Sequence, residues 1–178
     1  MNEPFECNVT VNTCAHNAVK GVRKIILAYK EYLSCEYLGK FLERHGFEVT
    51  YKTADIDTAF TAVWRNNGAT EDVKPILGFL AEYDALAEIG HACGHNLLGT
   101  GVCAAACAMK ADMENTGVPG TIYVYGWPAE EIMSGKIIMN QHGVFDHRFR
   151  RRAGGDVLLK VQAFVSADGE RVSFRVRK

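Results

Sequence analysis

The chain has 178 residues, 48% of them hydrophobic and 23% charged, with a formal net charge of −1, the profile of a globular protein long enough for one real core. No apolar run approaches the ~20 residues of a membrane span, and the acid-containing start MNEPFECNVT has no apolar stretch of the kind a secretory signal carries. Six scattered cysteines in a chain of this size favour reduced thiols and a cytoplasmic setting.

In chain order, residues 1–16 are polar and irregular and are expected to be poorly ordered. From Ala18 to about His45, apolar residues such as Val22, Ile25, Tyr29, Leu33, Tyr37, Leu38, Phe41 and Leu42 recur at steps of three and four. That spacing predicts one helix or two consecutive ones, closing at Gly46. FEVTY (47–51) and AFTAVW (59–64) read as strands, and RNNGATEDVKP as the turn that follows. Ile76 to Leu80 is a short, continuously apolar run between Pro75 and the acids Glu82 and Asp84, as expected of a strand buried on both faces in a parallel sheet. After HACGHN (91–96) the segment LLGTGVCAAACAMKADMEN predicts a helix of small side chains packed closely on a sheet. TIYVYGW (121–127) is a second buried strand running into Pro128-Ala129-Glu130-Glu131, and a short helix is expected over 134–141. The order points to an α/β fold with a mixed, largely parallel sheet and flanking helices. No internal repeats or low-complexity tracts occur.

Two clusters carry chemistry, and both lie just beyond strands, where open α/β sheets build their sites. In HACGHN, Cys93 and His95 flank a glycine that permits a tight backbone, so thiolate and imidazole can converge on one ion such as zinc. Glu130 and Glu131 are adjacent, and adjacent side chains diverge. One carboxylate can then ligate a metal while its neighbour takes a proton from the attacking water, which a metal acidifies to a pKa of about 7. Simpler readings compete. A buried cysteine is usually a small hydrophobe, paired glutamates are common on helix N-terminal turns, and His91 and His95 lack the glutamate of H-E-x-x-H. A thiol mechanism, with Cys93 as nucleophile and His91 or His95 as base, is a further alternative.

The stretch FLAEYDALAEIGHACGHNLLGTG resembles the signature of the di-metal amidohydrolases of peptidase family M20, in the branch of aminobenzoyl-glutamate hydrolase, the indole-acetyl amino acid hydrolases and the M20 domain-containing dipeptidases. The likeness extends to EYLGKFLERHGFEVT upstream and to YGWPAEE and SGKIIMNQHGVFD downstream, over roughly 30–146. It implies an α/β catalytic domain, here only its N-terminal part (17–146), with the family's inserted lid absent. It implies Cys93, His95 and Glu131 as metal ligands, Glu130 as general base, and Asp84 as support for the ligands; His91 belongs to the motif without being a ligand. The implied cofactor is zinc, manganese or cobalt, and the implied substrates are N-acyl amino acids or small dipeptides.

Three departures qualify the likeness. Ala87 stands where the family usually has proline, and IMSGK follows PAEE in place of a glycine-rich run. After GVFD the chain turns into HRFRRRAGG, and the family's two later histidine ligands have no counterpart, since His142 and His147 come too early in the pattern. The family holds two ions; one weak site, or none, is expected here. Residues 147–178 hold nine Lys or Arg against three acids, a net of +6, while the first 146 residues carry −7. This arginine enrichment coincides with the loss of similarity, so the tail is expected to be out-of-frame or alternatively spliced sequence. Without stacking aromatics or a recognisable module it is not expected to bind nucleic acid. The alternation in DVLLKVQAFVSA and RVSFRVRK predicts a β-hairpin.

Two functions follow: a metal-dependent amidohydrolase, or a non-catalytic remnant of that fold with weak metal or partner binding and exposed sheet edges. No membrane partner is expected, and homo-oligomers stay open because the family's lid often mediates pairing.

Overall fold

The computed structural model describes residues 28–145 apart from 71, 72, 74, 133 and 134, together with the backbone of three strands at 156–158, 160–165 and 172–177. The expectation for residues 1–16, and the part of the first helical pattern before residue 28, lie outside the described residues.

Helix α1 (Tyr32–Arg44) lies within the predicted helical segment and buries Leu38 and Leu42 of the expected face together with Cys35, whereas Leu33 and Tyr37 are exposed and Tyr29 sits in a turn ahead of the helix (φ 59). It ends where foreseen, with Gly46 in a left-handed conformation (φ 82). Strands β1 (Glu48–Tyr51) and β2 (Phe60–Asn66) pair antiparallel. Strand β3 (Ile76–Glu82) leads through the HACGHN loop into α2 (His95–Thr116), and β4 (Gly120–Trp127) runs parallel to β3. Helix α3 (Gly135–Gln141) follows. Strand β5 (Asp156–Leu158) adds to the free side of β3, giving the order β1-β2-β4-β3-β5. The sheet is mixed, with antiparallel pairing on the β1-β2-β4 side and parallel pairing on the β4-β3-β5 side.

Strand alternation separates two cores. Ile122 and Val124 of β4, with Leu77, Phe79 and Ala81 of β3, face α1 and α2. Tyr123, Tyr125 and Trp127 point the other way, against Ile56, Ile76 and Met139. A strand covered by helices on both faces has no solvent side, so β4 is buried along its whole length. The small residues of α2 let it lie close: Cys103, Ala105 and Ala106 are buried against the sheet.

The tail carries the predicted hairpin, β6 (Lys160–Val165) antiparallel to β7 (Val172–Arg177). Residues 156–158 leave it, however, and join the main sheet. The parallel edge of β3 offers unpaired backbone groups, and pairing them competes with extending the hairpin. No helix among the described residues is long and apolar enough to cross a membrane.

Candidate metal centre

Parallel pairing aligns the ends of β3 and β4, with Glu82 opposite Trp127. The two loops that leave these ends therefore start side by side, which is why motifs far apart in the chain meet. The third member arrives on a helix. His95 is the first residue of α2, after Gly94 in a left-handed turn (φ 73). One turn later Gly99 passes the end of β3 so closely that a Cβ there would lie 2.5 Å from the Glu82 carbonyl oxygen. The glycine thus lets the helix start, and with it His95, approach Glu82.

The His95 ring is 8% exposed and is held at both nitrogens. Nδ1 lies 2.9 Å from Asp84 Oδ1, while Nε2 faces Glu82 Oε2 at 3.4 Å and Glu131 Oε1 at 3.5 Å. The other oxygen of Asp84 accepts the backbone N–H of Glu131 at 3.1 Å, tying the β3 loop to the β4 loop. Burial acts to raise the Asp84 pKa, but the hydrogen bonds from His95 and Glu131 outweigh it and hold the carboxyl below its ordinary value. The hydrogen bond to Asp84 lifts His95, with Glu82 and Glu131 adding to the effect. Burial pushes Glu82 up. Glu130 forms an ion pair with Lys136.

With Asp84 ionised, Nδ1 carries the donated proton and Nε2 turns its lone pair toward two carboxylate oxygens. Acceptors facing one another in a half-buried place are unfavourable unless a proton or a cation sits between them. Donor atoms of His95, Glu130 and Glu131 all lie within 4.8 Å of one another, a spacing that one ion can span. The residues therefore fit a divalent cation, and a carboxylate behind the ring, as Asp84 stands behind His95, is the arrangement metal-binding histidines usually have.

Of the five residues named from the sequence, His95, Glu130 and Glu131 form one cluster and Asp84 bonds to His95. Cys93 is exposed and its thiol reaches Glu131; that hydrogen bond raises the thiol pKa. Cys93 stands beside the three-residue cluster, whereas Glu130, assigned a base from the sequence, is one of its members. His91 lies outside the cluster, and neither of its buried ring nitrogens has a hydrogen-bond partner among the described residues. The sequence pattern marks Glu82 only as a strand boundary and gives no sign of Lys136. The signal for Glu82 is its two-residue spacing from Asp84, which brings both acids to one strand end.

No protein-family model matches the chain. It is 42% identical over 135 residues to a p-aminobenzoyl-glutamate hydrolase subunit of Escherichia coli (strain K12), covering 66% of this chain and 27% of that protein. It is 38% identical over 129 residues to the Xaa-Arg dipeptidase of Homo sapiens, covering 67% of this chain and 30% of the relative. The chain thus spans less than a third of the length of these curated relatives. Among solved structures, the Bacillus subtilis YXEP protein, a dinuclear metal binding peptidase from the M20 family, superposes with a TM-score of 0.59 at 18% identity, over 76% of this chain and 41% of that one. The aminobenzoyl-glutamate utilization protein from Klebsiella pneumoniae does so with a TM-score of 0.56 at 18% identity, over 77% and 42%. These two likenesses carry the fold.

Proposed function

Given that the chain is a partial homologue of the M20-family peptidases, we propose that it binds a divalent metal, zinc or manganese, and serves hydrolysis of an amide bond in an N-acyl amino acid or small dipeptide. The observation that carries this is the clustering of donor atoms of His95, Glu130 and Glu131 within 4.8 Å of one another. His95, Glu131 and Cys93 are the proposed ligands. A bound ion would polarise the amide carbonyl and acidify water.

The chain's own groups supply the rest. Asp84 fixes the His95 tautomer and presents Nε2 inward. Glu130 is the proposed general base: it takes a proton from water and passes it to the departing amine. Lys136 pairs with Glu130 and so helps fix where its carboxylate sits. Imidazole and thiolate donors favour zinc, and added carboxylates also suit manganese.

Calorimetric titration with zinc tests the site. Binding is expected in the wild type, with a loss of tenfold or more in His95→Ala and Glu131→Gln and a smaller loss in Cys93→Ser; equal affinity in all four defeats the assignment. Hydrolysis is tested separately, with N-acyl amino acid and dipeptide substrates and added zinc or manganese. Turnover abolished by Glu130→Gln supports the enzyme. Metal binding without turnover under either ion supports the second reading, a non-catalytic remnant. A cytoplasmic location goes with either reading, from the pattern of reduced cysteines.

A further inference from the structure

Glu31 is 0% exposed, just ahead of α1, with no basic side chain against it among the described contacts. A buried carboxylate persists only where donors surround it. Here Oε1 accepts the backbone N–H of Ala129 at 3.0 Å, and Oε2 accepts the Thr58 hydroxyl at 3.1 Å. The backbone amides of Glu31 itself and Tyr29 also donate to it. The carbonyl of Thr58 in turn accepts the Tyr83 hydroxyl at 2.6 Å, and Tyr83 immediately precedes Asp84. One carboxylate thus joins the entry to α1, the turn before β2 and the turn after β4.

Ala129 is the informative partner. Its φ of 57 lies in the left-handed region, which a residue with a Cβ leaves unless something holds it. The two residues after it are Glu130 and Glu131. A change of backbone angle at Ala129 would swing both side chains away from His95. An apolar residue would fill the same volume at lower desolvation cost, so packing alone does not account for an acid here. We infer that Glu31 is a positioning residue for the metal centre: it holds the Ala129 amide, fixes the strained turn, and so aims the Glu130 and Glu131 carboxylates at His95. Its carboxylate partners are the Ala129 amide, the Thr58 hydroxyl and nearby backbone, none of them a member of the His95–Glu130–Glu131 cluster, so it acts on the centre through the Ala129 turn.

The inference rests on the metal-centre reading above, and the test separates the two. Zinc is titrated calorimetrically, well below the melting temperature of each protein, into the wild type, Glu31→Ala, Glu31→Gln, Thr58→Val and Leu42→Ala. Glu31→Ala is expected to weaken binding about tenfold or more, as loss of supporting partners does at metal sites. Glu31→Gln keeps an oxygen for the Ala129 amide and is expected to stay closer to the wild type than to Glu31→Ala. Thr58→Val, which removes one of the carboxylate's anchors, is expected to fall between. Leu42→Ala is the control for plain destabilisation: it empties the α1 core, lowers the melting temperature and leaves zinc affinity unchanged. Unchanged affinity in Glu31→Ala overturns the inference, as does unchanged affinity in Thr58→Val if Glu31→Ala does not fold. Absence of zinc binding in the wild type overturns the metal-centre reading itself.

Discussion

Asp84 performs two tasks with its two oxygens, one on the His95 ring and one on the Glu131 amide. Asparagine has only one acceptor oxygen, so Asp84→Asn turns an NH2 group toward one of those two donors. It also removes the charge that keeps the Nδ1 proton in place. Zinc affinity is expected to fall about 10- to 100-fold while the fold persists, measured by calorimetry beside circular dichroism; full affinity with intact structure would remove Asp84 from the site. A second prediction concerns pH. Burial pushes the Glu31 carboxyl above its usual 4.5, against the hydrogen bonds that pull it down. Such a group holds its proton more tightly folded than unfolded, so its contribution favours folding at low pH and fades as pH rises from about 4.5 through the folded value. Glu31→Gln has no proton to lose there. Its melting temperature relative to the wild type is therefore expected to climb between about pH 4.5 and neutrality, and a difference flat across that range would contradict the sign.

Helix α2 brings His95 to Glu82 only because Gly99 has no side chain. In an exposed helix, Gly→Ala stabilises by about 1 kcal/mol. Here the added methyl would meet the Glu82 carbonyl at 2.5 Å, so Gly99→Ala is expected to destabilise by ~1–3 kcal/mol and to weaken zinc binding. Thermal melts and titration of the same sample check both effects; a more stable variant would show that the close approach is not needed. The elements themselves were largely legible in the sequence. Continuous apolar runs marked β3 and β4 because both faces of these strands are buried, and the spacing in EYLGKFLERHG marked α1 because only one of its faces is. What the sequence left hidden has no periodicity. The three-residue strand β5 is too short to alternate visibly, and its partner is a distant edge. Glu31, Thr58 and Ala129 are joined by tertiary contacts alone, and an isolated acid ahead of a helix resembles any surface acid.

At the scale of the molecule, β5 pairs with only Ile76–Gly78, and Phe79–Glu82 have no strand partner on that side among the described residues. Removing residues 147–178 would strip pairing from the rest of this edge, whose sequence is apolar, and such edges recruit other chains. The shortened protein is expected to associate, seen as a concentration-dependent rise in mass by light scattering; a monomer at high concentration would show that β5 protects nothing. The hairpin of the tail was readable from alternation. Whether that tail is the native reading frame is decided by sequencing transcripts across the codons for GVFDHRF, where one continuous frame in independent clones would retire the splicing or frame-shift account. The proposed donors occupy a short interval, residues 82–131, on a single β-α-β crossover, and Glu31 lies upstream of them all. During synthesis every proposed donor leaves the ribosome before α3 does, so the proposed site would begin to assemble on the nascent polypeptide. A divalent ion held there would add its binding free energy to the stability of the folded chain.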